Sequence, residues 1–343
     1  MGSGGRVRKT KVTVSGDRFL INGEWTYKGR YWDGCRIEGL LMNSRMIQGV
    51  FDDKNPETAC RWAYPDTGVW DAERNTREFL EAMPLWKEHG LLAFTVGMQG
   101  GSPEGYSQLQ PWHNSAFRAD GSLDPAYMNR LERILDRADE LGMVVILNLF
   151  YFGQDRRFSG EAAVKQAVAN TVVWLARRGY TNVMLDLVNE CDLPEYTTDI
   201  MMPGRVRELL ELARLVSRAM RPEGEVPLLI GTSFRGTAVP TNEVIEASDV
   251  VFIHGNAGNP VWAVQQIDML RARAAYRGQP IVNNEDDHFD FDREVNHMAI
   301  SVRKGVSWGY FDPEGYQCPP VCWGIDTERK RQFFAKLKEI TGV

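Results

Sequence analysis

The sequence predicts an α/β fold, a single (β/α)8 barrel, on three observations. Short apolar segments alternate with amphipathic segments eight times along nearly the whole of the 343 residues, as in barrels of this kind. The apolar segments show little alternation, which is typical of parallel strands covered on both faces. Glycines stand where helix C-caps are expected, at Gly90, Gly142, Gly179, Gly278 and Gly305.

The eight predicted strands cover residues 37–43, 91–96, 143–149, 183–189, 227–232, 250–254, 280–284 and 306–310. The predicted helices cover residues 73–89, 125–141, 161–178, 205–220, 242–247, 261–277, 291–304 and 327–340. In the second helix, apolar residues at steps of three and four form one face. A doubly wound open sheet is the alternative fold, but no Gly-rich phosphate-binding turn follows the first strand.

The segment ahead of the barrel predicts two further features. Residues 1–10 are expected to be a flexible leader, and residues 11–343 a single catalytic domain with a β-hairpin at 12–28. Asn22-Gly23 predicts a tight turn in this hairpin. We expect the hairpin to cover the bottom of the barrel.

The composition, with 43% hydrophobic and 25% charged residues, is that of a folded globular protein. The 46 acidic and 40 basic side chains give a net charge of −6, which disfavours nucleic acid and anionic membranes as partners. No apolar run approaches the roughly 20 residues that span a bilayer. Five cysteines, an odd number, argue against a disulfide framework. We therefore expect a soluble protein, cytoplasmic as the sequence stands or secreted if a signal peptide was removed.

Two carboxylates stand at the ends of predicted strands, Glu190 after the fourth and Glu285 after the seventh. Functional residues of barrels lie at the C-terminal ends of the strands. The fourth and seventh strands lie on opposite sides of an eight-stranded barrel, so the two side chains can face each other across its mouth. Two opposed carboxylates are the minimal machinery of glycoside hydrolysis. Either Glu taken alone could instead cap a helix or pair with an Arg.

With these residues the sequence resembles the retaining glycoside hydrolases of clan A, and within them the cellulase-like family 5 enzymes. The resemblance rests on Val188-Asn189-Glu190 at the fourth strand and on Glu285 at the seventh. It implies that Glu190 is the acid/base, that Asn189 holds the sugar 2-hydroxyl and that Glu285 is the nucleophile. It also implies that His254 contacts the substrate and that Trp308 is a platform for a sugar ring.

The sequence departs from the family 5 pattern at three strand ends. Where the family has an Arg after the second strand, this chain has Val96-Gly97-Met98, and Arg45 after the first strand is the candidate for that cation. The family's His after the third strand is replaced by a segment that holds Asn148 and Tyr151. The Tyr two residues after the sixth-strand His is Asn256 here. The predicted substrate-binding residues are Asn43, Arg45, Asn148, Tyr151, Asn189, His254, Asn256 and Trp308.

The sequence therefore predicts a retaining β-glycosidase that acts on a β-linked carbohydrate without a cofactor or a metal. Asp286, Asp287 and His288 suggest a metal cluster, but consecutive residues rarely all point at one ion. In the expected mechanism the carboxyl groups stand about 5 to 5.5 Å apart and configuration is retained. The alternative is a non-catalytic carbohydrate-binding barrel, which would need aromatic platforms but neither Glu. Further platform candidates are Trp112, Trp262 and Trp323, with Tyr106 a weaker one.

Overall fold

Antiparallel strands come first in the computed structural model of the chain, which describes residues 7–107, 109–221, 225 and 227–343. Residues 1–6 of the predicted leader lie outside the described residues. Asn22 and Gly23 both have positive φ, 55° and 81°, as a type I′ turn requires. The N-terminal strands are β1 (Val12–Ser15), β2 (Arg18–Ile21) and β3 (Glu24–Trp25) in one sheet, and β4 (Tyr31–Trp32) and β5 (Cys35–Arg36) in a second.

Parallel strands and α-helices alternate over the rest of the described chain. The strands are β6 (Asn43–Arg45), β7 (Ala93–Gly97), β8 (Val144–Phe150), β9 (Val183–Val188), β10 (Leu229–Gly231), β11 (Val251–His254), β12 (Ile281–Glu285) and β13 (Gly309–Tyr310). The helices are α1 (Ala72–Glu88), α2 (Pro125–Leu141), α3 (Glu161–Arg177), α4 (Val206–Met220), α5 (Asn242–Ala247), α6 (Pro260–Arg271), α7 (His297–Arg303) and α8 (Glu328–Thr341). Short 3₁₀ helices in the loops span Ile47–Val50, Ala59–Trp62, Asp155–Arg157 and Asp199–Met201.

Backbone hydrogen bonds join these strands into a barrel. Six of them form one parallel ladder in the order β10-β9-β8-β7-β6-β13, and β11 pairs with β12. A parallel bridge from Val282 to Ser307 joins β12 to the segment just before β13. Where β10 meets β11, the Asp249 N–H donates to the Ile230 carbonyl at 2.8 Å. The strands thus form the (β/α)8 barrel that the sequence predicts.

The N-terminal sheet lies against the end of the barrel at which the strands begin. Phe19 of β2 is fully buried in a cluster with residues that start barrel strands, among them Leu92, Val144 and Met184. The Val12 N–H donates to the carbonyl of Thr181 at 2.9 Å and ties the sheet to the segment before β9. The opposite, C-terminal end of the barrel is therefore the end that remains open to the loops.

The first barrel strand begins later than the sequence predicts. The predicted strand at 37–43 is replaced by a strand at Asn43–Arg45. Gly39 has a φ of 84°, and the Leu40 N–H donates to the Ile37 carbonyl at 3.0 Å. The segment therefore turns instead of extending, although its apolar side chains are buried as the pattern indicates.

The seventh helix also begins later than its predicted start, at His297 instead of residue 291. Asn296 is its N-cap, and the side-chain oxygen accepts a hydrogen bond from the Ala299 N–H. Such a cap satisfies an N–H group that has no partner within the helix. Across the described residues, the helices are too short or too polar to span a bilayer.

Candidate active site

Glu190 and Glu285 emerge at the C-terminal end of the barrel. Glu285 is the last residue of β12, and a register shift between Ile253 and His254 pairs His254 of β11 with it. Glu190 follows β9 and has a φ of 48°, a left-handed conformation that is disfavoured for residues with a Cβ. The Glu190 N–H donates to Ser233 Oγ at 3.1 Å, and this bond holds the turn that presents the Glu190 carboxylate.

The two carboxylates share His254 as a neighbour. Nδ1 of His254 lies 2.8 Å from Oε1 of Glu190 and 3.5 Å from Oε2 of Glu285. One oxygen of each carboxylate and a ring nitrogen of His254 lie within 4.8 Å of one another. A carboxyl separation of about 5 to 5.5 Å is typical of retaining glycosidases, and about 6.5 to 9.5 Å of inverting ones. The two groups are therefore close enough to act on the same atom of a bound molecule.

Two further side chains hold Glu285. Nη1 of Arg45 lies 2.9 Å from Oε2 of Glu285, and Nδ2 of Asn256 donates to Oε1 at 2.7 Å. Arg45 is 1% exposed and Glu285 is 6% exposed, so neither charge is compensated by bulk water. A buried charge needs a partner of opposite sign or hydrogen bonds, and Glu285 has both.

The electrostatics of the site favour a proton on Glu190 and His254. Burial raises the pKa of Glu190 above its ordinary value, and the charge of Glu285 raises it further. The hydrogen bond with His254 lowers this pKa but does not cancel the increase. Burial alone would lower the pKa of His254, but the two carboxylates outweigh this effect and raise it. A raised pKa favours the protonated form of a carboxyl group, which is the form that acts as a general acid.

Asp186 lies in the barrel interior beneath this pair. Its Oδ1 accepts from the Ser233 N–H at 3.0 Å, and its Oδ2 accepts from Nδ2 of Asn284 at 3.1 Å. Burial raises the pKa of Asp186 to about 6. One oxygen is occupied by the segment just after β10 and the other by β12 on the opposite side of the barrel, so Asp186 acts as a structural acid that joins these strands to β9.

A cavity of about 500 Å³ opens above the two carboxylates. Its volume falls within the range of small-molecule sites. The Tyr106 hydroxyl donates to Oε1 of Glu195 at 3.2 Å and links the loop after β7 to the loop after β9 beside the cavity. The lining residues are Tyr106, Tyr151, Glu190, Arg235, Gly236, Thr237, Asn256, Ala257, Glu285, Asp287, Phe311, Pro313 and Gln317.

Six of the ten predicted site residues are at this place. Glu190, Glu285, Tyr151 and Asn256 line the cavity. Arg45 and His254 contact the carboxylates from the barrel interior. The Tyr151 hydroxyl is paired with Ser102 Oγ at 3.1 Å, which fixes the ring at the cavity wall.

Asn43, Asn148 and Asn189 lie in the barrel interior or in its wall. Nδ2 of Asn43 donates to the Asn283 carbonyl at 3.2 Å, and Nδ2 of Asn148 donates to the Asp186 carbonyl at 3.2 Å. Asn189 is 1% exposed. All three are absent from the cavity lining, so the structure places Asn43 and Asn148 as links between strands.

Trp308 does not present a ring face to the cavity. It is fully buried, its ring packs against Phe291 and Phe333, and its Nε1–H donates to Oδ2 of Asp286 at 2.9 Å. A sugar platform needs an open aromatic face, which this position lacks. Trp112 and Trp323 are buried in the same way, at 0% and 2% exposed.

Several cavity residues were not singled out from the sequence. Phe311 directly follows β13, so the strand-end rule that identified Glu190 could have included it. Gln317 has no such signal, because a loop contact places it: Nε2 of Gln48 donates to its carbonyl at 3.1 Å. Four more cavity residues were not singled out from the sequence: Gly236, Thr237, Ala257 and Pro313.

Asp286, the residue after β12, accepts hydrogen bonds from several buried donors. Its Oδ1 lies 2.7 Å from Nδ1 of His288. Its Oδ2 accepts from Asn283 and Trp308 at 2.9 Å and lies 3.1 Å from Nδ1 of His297. Burial would raise the pKa of Asp286, but the hydrogen bonds from the two His hold it at about 2.

Two sets of side chains in the described chain have the spacing of metal ligands. They are Asp286, His288 and His297, and Glu190, His254 and Glu285, each with ligand atoms within 4.8 Å of one another. In the first set the Asp286 oxygens already accept from N–H donors. In the second set Arg45 stands beside Glu285. An ion would have to displace these donors, so both sets fit a hydrogen-bonded network better than a metal.

Asp286→Asn is expected to lower the free energy of unfolding by roughly 3 kcal/mol, because it leaves buried donors without an acceptor. The measurement is urea denaturation at pH 7, with Asp287→Asn as the matched control. Asp287 lies 3.6 Å from His288 Nδ1 and makes no closer ion pair within the described chain. The Asp286 pKa is lowered to about 2, so its stabilisation is present above the ordinary Asp pKa and lost as pH falls toward 2. Equal stability of the two variants at pH 7 would contradict this role.

The fold is a (β/α)8 barrel that carries two facing carboxylates at the C-terminal end of its strands. No protein-family model matches the chain, and no curated protein sequence matches it significantly. Among solved structures, it is similar to a GH5-4 broad specificity endoglucanase from Bacteroides salanitronis, with 12% identity, 89% of this chain and 94% of that chain covered, and a TM-score of 0.56.

Two further solved structures show the same likeness. A GH5-4 broad specificity endoglucanase from Clostridium acetobutylicum has 14% identity, with 88% of this chain and 96% of that chain covered and a TM-score of 0.52. A β-glucosidase from Thermotoga maritima has 11% identity, with 90% of this chain and 99% of that chain covered and a TM-score of 0.53. The chain thus shares its fold with these three enzymes over most of its length.

Proposed function

We propose that the chain is a retaining β-glycoside hydrolase that acts on a β-linked oligosaccharide, polysaccharide or glycoside. The observation that carries this proposal is the pair of carboxylates Glu190 and Glu285, each of which has an oxygen within 4.8 Å of the other's and of a ring nitrogen of His254. The cavity of about 500 Å³ directly above them can hold the sugar. The endoglucanases and the β-glucosidase with the same fold agree with this class of reaction.

In the first step Glu285 attacks the anomeric carbon while Glu190 protonates the departing glycosidic oxygen. Arg45 and Asn256 each hold one oxygen of Glu285 and so fix the carboxylate for attack. The raised pKa of Glu190 keeps the proton available. The bond to the leaving group breaks as the bond to Glu285 forms, which gives a covalent glycosyl-enzyme.

In the second step Glu190, now ionised, removes a proton from water, and the water displaces Glu285 from the sugar. His254 stands 2.8 Å from Glu190 Oε1 and stabilises the carboxylate between the two steps. Two displacements at one carbon restore the original configuration. Besides water, the proposed steps use only side chains of this chain.

A panel of aryl β-glycosides tests the proposal. We expect hydrolysis of at least one member, with the β-anomer as the first product seen by ¹H NMR before mutarotation. First release of the α-anomer would contradict the retaining mechanism. A folded protein that binds sugars but cleaves none of the panel or of β-linked oligosaccharides would support the alternative, a carbohydrate-binding barrel.

The raised pKa of Glu190 predicts the pH dependence of the reaction. The acid form of Glu190 is required, so activity is present below its pKa and falls as pH rises through it. Glu285→Gln removes the like charge and is expected to lower the Glu190 pKa. The decrease should be partial, because burial is the larger cause of the raised pKa and remains in the variant. The measurement is ¹³C NMR of the protein labelled at Glu side chains. An unchanged Glu190 pKa in Glu285→Gln would contradict the coupling.

A further inference from the structure

A second cavity, of about 470 Å³, lies between the loops that follow β7 and β8. Its lining shares no residue with the active-site cavity. We refer to it as the basic pocket, and it is lined by His113, Phe117, Arg118, Ala119, Arg156 and Arg157. Three guanidinium groups and an imidazole thus meet around one cavity in a chain whose net charge is −6.

Arg157 is the fixed member of the basic pocket. Its Nη2 donates to the Trp112 carbonyl at 2.8 Å, and its Nε donates to Oε1 of Gln154 at 3.2 Å. Both acceptors are uncharged, so these bonds orient the guanidinium without neutralising it. Burial lowers the pKa of Arg157 despite the opposing effect of Asp53, and the charge of Arg156 lowers it further.

The other two arginines have no acidic side chain directly paired with them among the described residues, although the charge of Arg118 lowers the pKa of Asp120 and of Asp124. Within the described ranges, Arg118 and Arg156 make no ion pair, and all the residues that line the basic pocket are basic or apolar. The pKa of His113 is lowered by burial and by the positive charges of Arg157 and Lys54. The negative charges of Asp53 and Asp124 oppose this effect but do not reverse it. Several positive charges around one concavity attract an anion.

The acidic groups nearest to the pocket are already engaged. Asp53 accepts from the His113 N–H at 2.8 Å and from Trp62 Nε1 at 2.8 Å. Asp124 pairs with Lys54 Nζ at 2.8 Å. Asp120 accepts from the N–H and the hydroxyl of Ser122 at 2.9 and 2.6 Å. Lys54 thus neutralises Asp124, whereas the donors to Asp53 and Asp120 are uncharged and leave these two carboxylates unneutralised. Neither of the two lines the pocket or forms an ion pair with its arginines in the described part of the chain, so three guanidinium groups still face the cavity.

We propose that the basic pocket is a second binding site, which takes an oxyanion: a carboxylate, sulfate or phosphate group of a small molecule or of a sugar unit. The planar fork of a guanidinium matches the oxygens of such groups. Phe117 adds an apolar surface for the part of the ligand that carries the anion. The site does not depend on the proposed glycosidase activity, because its residues take no part in the active-site cavity.

Calorimetric titration of the full chain at pH 6.5 tests this site, with sodium sulfate, sodium phosphate and sodium D-glucuronate as probes at constant ionic strength set with NaCl. We expect saturable binding of at least one probe with a Kd of millimolar order or tighter. Sulfate or phosphate binding identifies an ester-type anion, and glucuronate binding identifies a carboxylate. Binding of none of the three probes overturns the proposal.

The double variant Arg118→Ser/Arg156→Ser is expected to weaken this binding at least tenfold. The matched control is Arg293→Ser/Arg331→Ser, which changes the net charge equally at two exposed arginines elsewhere. In the wild type, the C2 proton resonance of His113 is expected to shift along the same titration curve. Equal loss in both double variants, or a His113 resonance that does not move at saturation, would place the anion elsewhere and overturn the proposal. The readout is binding, so its failure is separate from any failure of glycoside hydrolysis.

Discussion

Glu285→Ala is expected to reduce hydrolysis of aryl β-glycosides by at least about a thousandfold, or roughly 4 kcal/mol of transition-state stabilisation. The variant lacks the group that forms the covalent intermediate, and it leaves Arg45 and Asn256 without the carboxylate that they hold. It also opens space where a small anion can stand beside Arg45. The kinetic constants kcat and KM with a nitrophenyl glycoside provide the measurement.

Sodium azide is expected to restore cleavage by Glu285→Ala. Azide attacks the anomeric carbon from the side that Glu285 occupied, Glu190 protonates the leaving oxygen, and the product is the α-glycosyl azide. Glu211→Ala, an exposed Glu on α4 that pairs with Arg207, is the control and keeps full activity. A Glu285→Ala variant with full activity would remove Glu285 from the mechanism.

Glu190→Ala is expected to lose more activity on substrates with a basic leaving group, which needs a proton to depart, than on substrates with an acidic one. A positioned general acid contributes about a hundredfold to ten-thousandfold. Alkyl glycosides and oligosaccharides, which have basic leaving groups, should show the full loss in the first step. Dinitrophenyl glycosides need no proton and should still form the glycosyl-enzyme, which then accumulates because the base of the second step is missing.

Two measurements separate this role from a structural one. Pre-steady-state kinetics of Glu190→Ala with a dinitrophenyl glycoside should show a burst of phenolate, and mass spectrometry should find the sugar on the peptide that contains Glu285. The variant should also lose the alkaline fall of activity, since this fall reports the proton on Glu190. A uniform loss across all leaving groups, without a burst, would contradict the acid/base role.

The sequence predicted most of the architecture because each barrel unit repeats a local signal. An apolar segment, an amphipathic helix and a glycine cap recur along the chain, and the structure follows them closely at Pro125–Leu141 and Val183–Val188. The prediction placed the first barrel strand too early because an apolar, buried segment was assumed to be extended. Leu40 and Leu41 are buried, yet the left-handed Gly39 turns the chain before them.

The site was predictable where it depends on strand order and less so where it depends on packing. Glu190 and Glu285 could be paired because opposite strands end at the same mouth. The burial of Trp308 could not be predicted, since it follows from the position of Asp286 and of the aromatic rings around it. Gln317 reaches the cavity through a loop contact between distant segments, which no local pattern encodes.

The left-handed backbone at Glu190 has a consequence for how stability and activity relate in this protein. A residue with a side chain costs about 1 to 2 kcal/mol in this conformation, whereas glycine adopts it freely. Selection for thermal stability alone would therefore favour glycine at position 190, and the gain would remove the carboxylate from the mouth of the barrel. At Ala257, which also lines the cavity and has a φ of 59°, glycine would remove a methyl group from the cavity wall. Efforts to make the protein more heat-resistant should accordingly begin far from these two positions.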